Sequence, residues 1–563
     1  MKPKQIKLII ENKLEKRFPS GITAGEAIRQ SGLEYQYPVV AAFLDNKVVE
    51  LARPIRYGGK LNAIHLGTTD GMRLYRRSLS FVLVRAVKEI YPDLRVYINH
   101  SLCKGFYCEL HAHEYKKLKR LTITARDVKK IKNKMKEIID ADEAFIRKEV
   151  PLEEGIRIFR RLGQEEKVKL LSYRPRRKTD KVSVYHCGSA KNHFYGFLVP
   201  RTGCLKAFDL KFYPPGFILR FPTEDDPEKT PPFVPQDKMF QVYQEYEKWA
   251  KILGLETVAM LNDLIGENGI AEFIKVAEGL HEKKIAYIAD TIKDHPTSPR
   301  IILIGGPSCS GKTTFSKRLC TQLRVNGFRP VVIGMDDFFV DREHTPLDEF
   351  GKLDFEAFET IDHRYLCRVI RDLIKGKTVT MPKFDFHTGG RKKGYRLSLE
   401  EDQVIILEGI HALNHRLLSQ IPDGLKFRIY VSALTTLNID YHNRVSTSDS
   451  RLLRRIVRDS QFRNYSARET LYRWPSVRRG EEKNIFPYQE NADVMFNSAL
   501  VYEIGALKKA VVAQLRKVKK IDPEYAEACR LLKFISYFLE VDKEIIPRHS
   551  ILREFIGGSS FNY

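Results

Sequence analysis

Gly306-Pro307-Ser308-Cys309-Ser310-Gly311-Lys312-Thr313, with Thr314 behind it, is the stretch of this chain whose residue types and spacing speak most directly of chemistry. The spacing is G-x-x-x-x-G-K-[ST], set between an apolar run at 301–304 and a helix-forming run at 315–325. Glycines let a backbone curl so that successive N–H groups point inward at phosphate oxygens. The helix that follows aims its positive end at the same oxygens. Lys312 can reach the outer phosphates and the Thr313 hydroxyl can ligate Mg²⁺. The pattern therefore implies ATP and Mg²⁺ as the bound groups. A plain glycine-rich turn would not account for Lys312 and Thr313 together.

Two further acids stand where such a loop needs them. An apolar run at 331–335 leads into Asp336-Asp337, and an apolar run at 404–407 ends in Glu408. A carboxylate after the first run can accept a proton from an incoming hydroxyl, and the register favours Asp336 over Asp337. A single aspartate there would read more simply as a helix cap. Glu408 is the second Mg²⁺-directed position. Arg451, Arg454, Arg455 and Arg458 follow at offsets 0, 3, 4 and 7, one face of a helix. Such a stripe reads either as a solvated charged face or as a lid that closes on ATP phosphates, and the lid is the expectation here.

The elements that must position these groups alternate as strand and helix. Candidate strands fall at 301–305, 331–335, 404–408 and 427–432, with a last one near 492–496. Alternation of this kind implies a mostly parallel sheet with helices on both faces and ligands at the carboxyl ends of its strands.

Taken together, "GPSCSGKTT", "MDDFF", "MPKFDF", "ILEGIHAL", "RLLRRIVRD" and "NADVMFNSA" occur in the order seen in the uridine kinase and phosphoribulokinase group. The resemblance implies a Mg-ATP-dependent kinase that phosphorylates a nucleoside 5′-hydroxyl. It also implies that Phe384, Asp385, Phe386 and Arg391 border the nucleoside pocket and that Asp354 meets the ribose hydroxyls. Two departures bear on the acceptor. Phe339 stands where uridine kinases tend to have Tyr, and Gly389 stands where they have a pyrimidine-contacting His, with His387 two residues away as a substitute. Each lost polar contact weakens discrimination of a base edge. The alternatives are a kinase of another small hydroxyl acceptor, such as a sugar phosphate, and a nucleotide-switched RNA-binding or regulatory protein.

The front half has its own pattern. A hairpin near residues 5–18, a capping box at Thr23 and Glu26, and strands near 39–44 and 47–51 resemble the ubiquitin-like TGS domain of threonyl-tRNA synthetases. "RSLSFVLVRAVKEIYPDLRVYI", "GFYCEL" and the amphipathic run after Thr124 resemble the editing-type domain of those enzymes. The resemblance puts that domain's H-x-x-x-H pair on Arg77 and Phe81, and its C-x-x-x-H pair on Phe194 and Leu198. This implies a scaffold without editing chemistry. Cys103, Cys108, His111 and His113 allow a Zn²⁺ site by spacing, but lack a second knuckle; they read instead as a strand with Cys108 inward and the histidines outward.

The totals agree with a multidomain α/β protein. At 563 residues the chain should hold roughly three or four domains. The expected divisions are a TGS-like α+β domain at 1–68, an α+β synthetase-like region at 69–235, a helical connector at 236–298, the kinase at 299–515 and a helical tail at 516–563. The net charge of +25 favours polyanionic partners, so RNA contact through the front half joins the nucleoside substrate and self-association as an expected interaction. The eight cysteines are scattered and no run is long enough to span a membrane, so the expected location is cytoplasmic.

Overall fold

The computed structural model describes residues 4–114, 117–174, 180–385 and 388–562. Its chemical half is built on five parallel strands in the order Arg329–Gly334, Gln403–Glu408, Ile301–Gly305, Lys426–Ser432 and Val494–Asn497. The middle strand is apolar on both faces and buried throughout. This is the pattern of a parallel strand covered by helices on either side. All five expected strands are present, with ends within one or two residues of their sequence positions. The parallel register brings Gly305, Gly334 and Glu408 to the same edge of the sheet, where the phosphate-binding loop begins.

Two elements around this sheet were not read from sequence. A hairpin, Val379–Asp385 paired with Gly390–Leu397, stands over the sheet's edge. Its second strand is charged and exposed, so it lacks the alternating apolar signal by which strands are recognised. A short pair, Asn438–Asp440 with Asn443–Arg444, meets the front half.

The front half starts with a mixed five-stranded sheet, and Thr23 caps the helix Ala24–Ser31 through a complete capping box with Glu26. A second sheet, built from Leu94–Leu102, Gly105–Glu114, Asp209–Tyr213, Gly216–Arg220 and Lys117–Arg120, carries the helices Thr69–Ile90 and Ala125–Asp140, the latter capped by Thr124. Of the four editing-type positions, Phe81, Phe194 and Leu198 share one buried core. Phe81 and Phe194 have ring centroids 5.5 Å apart, Leu198 is buried, and the Arg77 guanidinium donates to the Phe197 carbonyl at 2.6 Å. That space is filled by packing. One expectation is corrected here. His111 does not point outward: it is buried, bonded to Glu109 at 3.1 Å and stacked on Tyr97. The ring has an apolar face to bury and an acid to bond, so the inward position satisfies both. Cys103, Cys108 and His111 do not come together with another described His, Cys, Asp or Glu as a set of three or more metal ligands. The side chain of His113 lies outside the described residues. No described helix is long and apolar enough to cross a membrane.

The two halves are joined by buried contacts. Helix Asp237–Ile252 places the Lys238 ammonium on the Ala492 carbonyl at 2.6 Å. Helix Ile270–Lys293 packs along the helix that follows the loop, with Arg318 paired to Glu282 at 2.7 Å. Lys167 of the front half is fully buried beside Glu166 at 3.2 Å and Asp440 at 3.3 Å. Removing one partner of a buried pair leaves an uncompensated charge. Lys167→Ala should therefore lower stability by about 3–5 kcal/mol. Chemical denaturation of the full chain checks this, and a loss under about 1 kcal/mol would mean that the cluster is hydrated.

Candidate functional site

The loop has the curl its spelling predicts. Gly306 adopts φ +154° and Gly311 φ +83°, and a Cβ on Gly306 would lie 2.0 Å from the Val431 carbonyl oxygen. Cys309 also takes a positive φ of 60°. Ser310 N–H donates to the Pro307 carbonyl at 3.3 Å, and the Lys312 ammonium reaches the same carbonyl at 3.3 Å. Helix Lys312–Val325 starts at once, so its first N–H groups face the loop. Among the described residues the buried Ser310 hydroxyl has no hydrogen-bond partner. Glycines at positive φ, a lysine folded over the loop and an orphaned hydroxyl suit a polyphosphate.

Thr313 and Glu408 meet, although 95 residues separate them: the hydroxyl lies 3.3 and 3.2 Å from the two carboxylate oxygens. Burial pushes the Glu408 carboxyl up to about 7, with Asp336 and Glu554 adding to the rise and Lys312 opposing it. Acids crowded in this way beside a hydroxyl suit a divalent cation better than they suit one another. The residues present thus fit Mg²⁺, which Thr313 and Glu408 would hold.

The two aspartates part company. Asp337 is engaged by the hairpin, with the Phe384 N–H at 3.3 Å and the Lys383 ammonium at 3.3 Å. Asp336 looks into the cleft. Its own surface is open to solvent, yet the surrounding walls displace enough bulk water to raise its carboxyl, against the pull of Lys312, Arg463 and Arg458.

The four arginines do not act as one unit. Arg451 and Arg454 are buried: Arg451 binds Glu481 through both nitrogens, at 2.8 Å for the longer contact, and Arg454 binds Glu503 at 2.5 Å. Both also brace the loop from behind, Arg451 on the Ser308 carbonyl at 3.0 Å and Arg454 on the Cys309 carbonyl at 3.4 Å. A lid that closes with all four is therefore not what the geometry offers. These two charges are already matched by internal carboxylates, the arrangement that a buried guanidinium requires. Arg455 reaches the Ser308 hydroxyl at 3.2 Å, and Arg458 pairs with Asp459 at 2.8 Å. Arg463, one residue past this helix, also lies toward Asp336; it falls outside the i, i+3, i+4 pattern that marked the stripe.

The acceptor side is partly assembled. Phe339 and Phe384 meet edge to face at 5.6 Å. The Arg391 guanidinium is drawn to Asp362 at 3.2 Å and lies over the Tyr365 ring. Asp354 accepts from the Glu356 N–H at 3.0 Å. Phe386 and His387 lie outside the described residues. Glu356 was missed by sequence reading, since an acid before Ala357-Phe358 carries no motif. Among the described residues, one of its buried carboxylate oxygens has no hydrogen-bond partner. Burial, with Glu481 beside it, pushes its carboxyl up to about 7, against Arg455 and Lys312.

Residues 301–504 match the Phosphoribulokinase / Uridine kinase family. The N-terminal region is similar to threonine--tRNA ligases. That of Anaplasma marginale (strain Florida) is 29% identical over 199 residues, covering 35% of this chain and 30% of the ligase. Threonine--tRNA ligase 1 of Bacillus subtilis (strain 168) is 30% identical over 205 residues, covering 36% and 30%. The chain thus spans less than a third of the length of these relatives. Among solved structures, a possible uridine kinase from Bacillus stearothermophilus aligns with TM-score 0.27 and 22% identity, over 38% of this chain and 98% of that one. A putative fructose transport system kinase from Silicibacter sp. TM1040 aligns with TM-score 0.29 and 21% identity, over the same shares.

The split among the arginines gives a stability test. Arg454→Ala should lower stability by about 3–5 kcal/mol, because Glu503 is left buried and unpaired. Arg458→Ala, beside a carboxylate that Arg455 also binds, should cost no more than about 1 kcal/mol. Urea midpoints of the two variants check this, and equal losses would contradict the division into braces and cleft residues.

Proposed function

We propose that the C-terminal domain, a phosphotransferase of the phosphoribulokinase/uridine kinase family, moves the γ-phosphoryl group of ATP to the 5′-hydroxyl of a nucleoside. One observation carries the chemistry. Of two adjacent aspartates, Asp337 is tied to the hairpin while Asp336 is left facing the cleft, within the fields of Lys312, Arg458 and Arg463. A base must be free to meet the hydroxyl whose proton it takes.

Bound Mg-ATP would supply the transferable group and neutralise charge as it moves. The chain's own parts divide the remaining work. Lys312 and the loop N–H groups would hold the phosphates, and Thr313 with Glu408 would hold the cation. Asp336 would orient the acceptor hydroxyl and take its proton. Arg458, with Arg463 beside it, would bring charge to the open side of the cleft. Glu356, with an oxygen that has no partner among the described residues and with Lys312 near enough to lower its pKa, would accept from acceptor hydroxyls. Phe339 and Phe384 would offer aromatic faces to a base. A nucleoside matches this mixture of one aromatic wall and one acidic floor better than a sugar phosphate does.

A panel of nucleosides and sugar phosphates, assayed with Mg-ATP and full-length protein for ADP release, tests the reading. Turnover with nucleosides that yields the 5′-monophosphate is expected; turnover with sugar phosphates alone would overturn the nucleoside assignment. Asp336→Asn should reduce turnover by roughly 10²-fold or more and leave ATP binding nearly intact. Arg458→Ala should lower kcat more than it raises the KM for ATP. Near-normal turnover in Asp336→Asn would remove that carboxylate from the mechanism.

A further inference from the structure

The C-terminal tail returns to the phosphate-binding loop and puts a carboxylate on it. Beyond helix Glu503–Leu515 the chain forms helix Tyr525–Ile535, continues through the buried Tyr537, Phe538, Val541 and Ile546, and reaches the short turn Arg553–Ile556. Ile551, Leu552 and Phe555 are fully buried in the core that includes the loop helix. Ile551 packs so closely on Gly311 that a Cβ there would lie 2.6 Å from its Cγ2. The Arg454 guanidinium lies over the Phe555 ring at 5.2 Å. Arg553 holds the turn in shape by donating to the carbonyls of Lys543 at 3.0 Å, Ile546 at 2.6 Å and Gly557 at 3.2 Å.

This packing delivers Glu554 to Thr314. One carboxylate oxygen lies 2.7 Å from the Thr314 hydroxyl and 3.3 Å from its backbone N–H. Thr314 is the third residue of the loop helix, and its N–H is one of those that no helical carbonyl can satisfy. The next N–H, of Phe315, is already bonded to the Gly311 carbonyl at 3.0 Å. Glu554 thus takes a donor pair that belongs to the phosphate-binding surface, at the positive end of the helix where an anion is favoured. It does so in acidic company, for its charge adds to the rise of the Glu408 carboxyl. A side chain chosen only to cap a helix would not need to sit among the acids of a cation site.

We propose that Glu554 is a built-in competitor for a nucleotide phosphate, and that the tail is a latch which must release Thr314 before the donor nucleotide binds fully. The inference rests on the donor site described above. The tail that carries the latch is also gripped from two sides, by the front half and by the arginine helix. Glu527 is bonded to Arg73 of the front half at 2.7 Å, and Arg530 is bonded to Asp449 of the arginine helix at 2.8 Å. Apparent affinity falls by the fraction of molecules whose binding state is open, so a latch engaged most of the time weakens nucleotide binding several-fold.

Calorimetric titration of full-length protein with Mg-ATP, Mg-ADP and adenosine tests this on wild type, Glu554→Ala and Glu554→Gln. Both nucleotides should bind Glu554→Ala about fivefold more tightly or better. Glu554→Gln should gain less, because its amide oxygen can still accept from Thr314 but carries no charge. Adenosine, which has no phosphate, should bind all three alike. If Glu554→Ala folds poorly, the near-isosteric Glu554→Gln keeps the test open. Unchanged or weaker nucleotide affinity in the variants, with only the melting temperature lowered, would reduce Glu554 to a helix cap and overturn the latch. An equal gain for adenosine would overturn it too, as general loosening. Absence of Mg-ATP binding in all three proteins would overturn the phosphotransfer reading itself, whereas equal binding in all three overturns the latch alone.

Discussion

Arg451 and Arg454 lie buried side by side, each bound to a glutamate from a different helix, and each touches a carbonyl of the phosphate-binding loop. A loop that must present N–H groups to an anion turns its carbonyls outward, and those carbonyls need donors. Two guanidinium groups meet that need here, and Glu481 and Glu503 make their burial tolerable. Glu481 goes further, accepting from the Ser308 N–H at 3.3 Å. The curl allowed by Gly306 and Gly311 is thus held from behind by the chain's own side chains, the preorganisation that makes electrostatic stabilisation effective.

Much of the rest follows from that constraint. Because the arginine helix is committed to the loop, its inner face cannot open, and only Arg455, Arg458 and the neighbouring Arg463 are left toward the cleft. Asp459 holds all three, with Arg455 at 3.3 Å, Arg458 at 2.8 Å and Arg463 at 3.9 Å. The helix is in turn tied to the tail through Asp449 and Arg530, and the tail to the front half through Glu527 and Arg73. The shared carboxylate of Glu527 is held well below the usual range, despite its burial, by those two guanidinium groups. Paired charges therefore run from the synthetase-like half to Asp449, and the arginine helix itself carries the connection on to Arg451 and Arg454 at the back of the loop.

The local features were legible in sequence because their signals are local. The loop's spelling, the capping boxes at Thr23 and Thr124, and the apolar strands that end in Asp336 and Glu408 each sit within a few residues. Pairings across long stretches of chain left no such trace. Nothing near Arg451 announces Glu481, and nothing in "ILREFIGG" announces that Glu554 meets Thr314. The helical period correctly put four arginines on one face, but it could not tell which part of that face would be buried. The hairpin at 379–397 was missed because its second strand faces solvent on nearly every residue and so shows no alternation. In the front half, Arg77, Phe81, Phe194 and Leu198 were read as substituted positions, and the structure adds that Phe81, Phe194 and Leu198 share one buried core while Arg77 bonds to the Phe197 carbonyl.

The central claim is that the loop is set by internal ion pairs and not by its ligand. Amide hydrogen exchange across 306–315, measured on the full chain with and without Mg-ATP, tests it most directly. The account predicts that Ser308 and Ser310 already exchange slowly in the free protein, and that nucleotide slows them by little more. Exchange at the rate of an unstructured chain until nucleotide is added would contradict it.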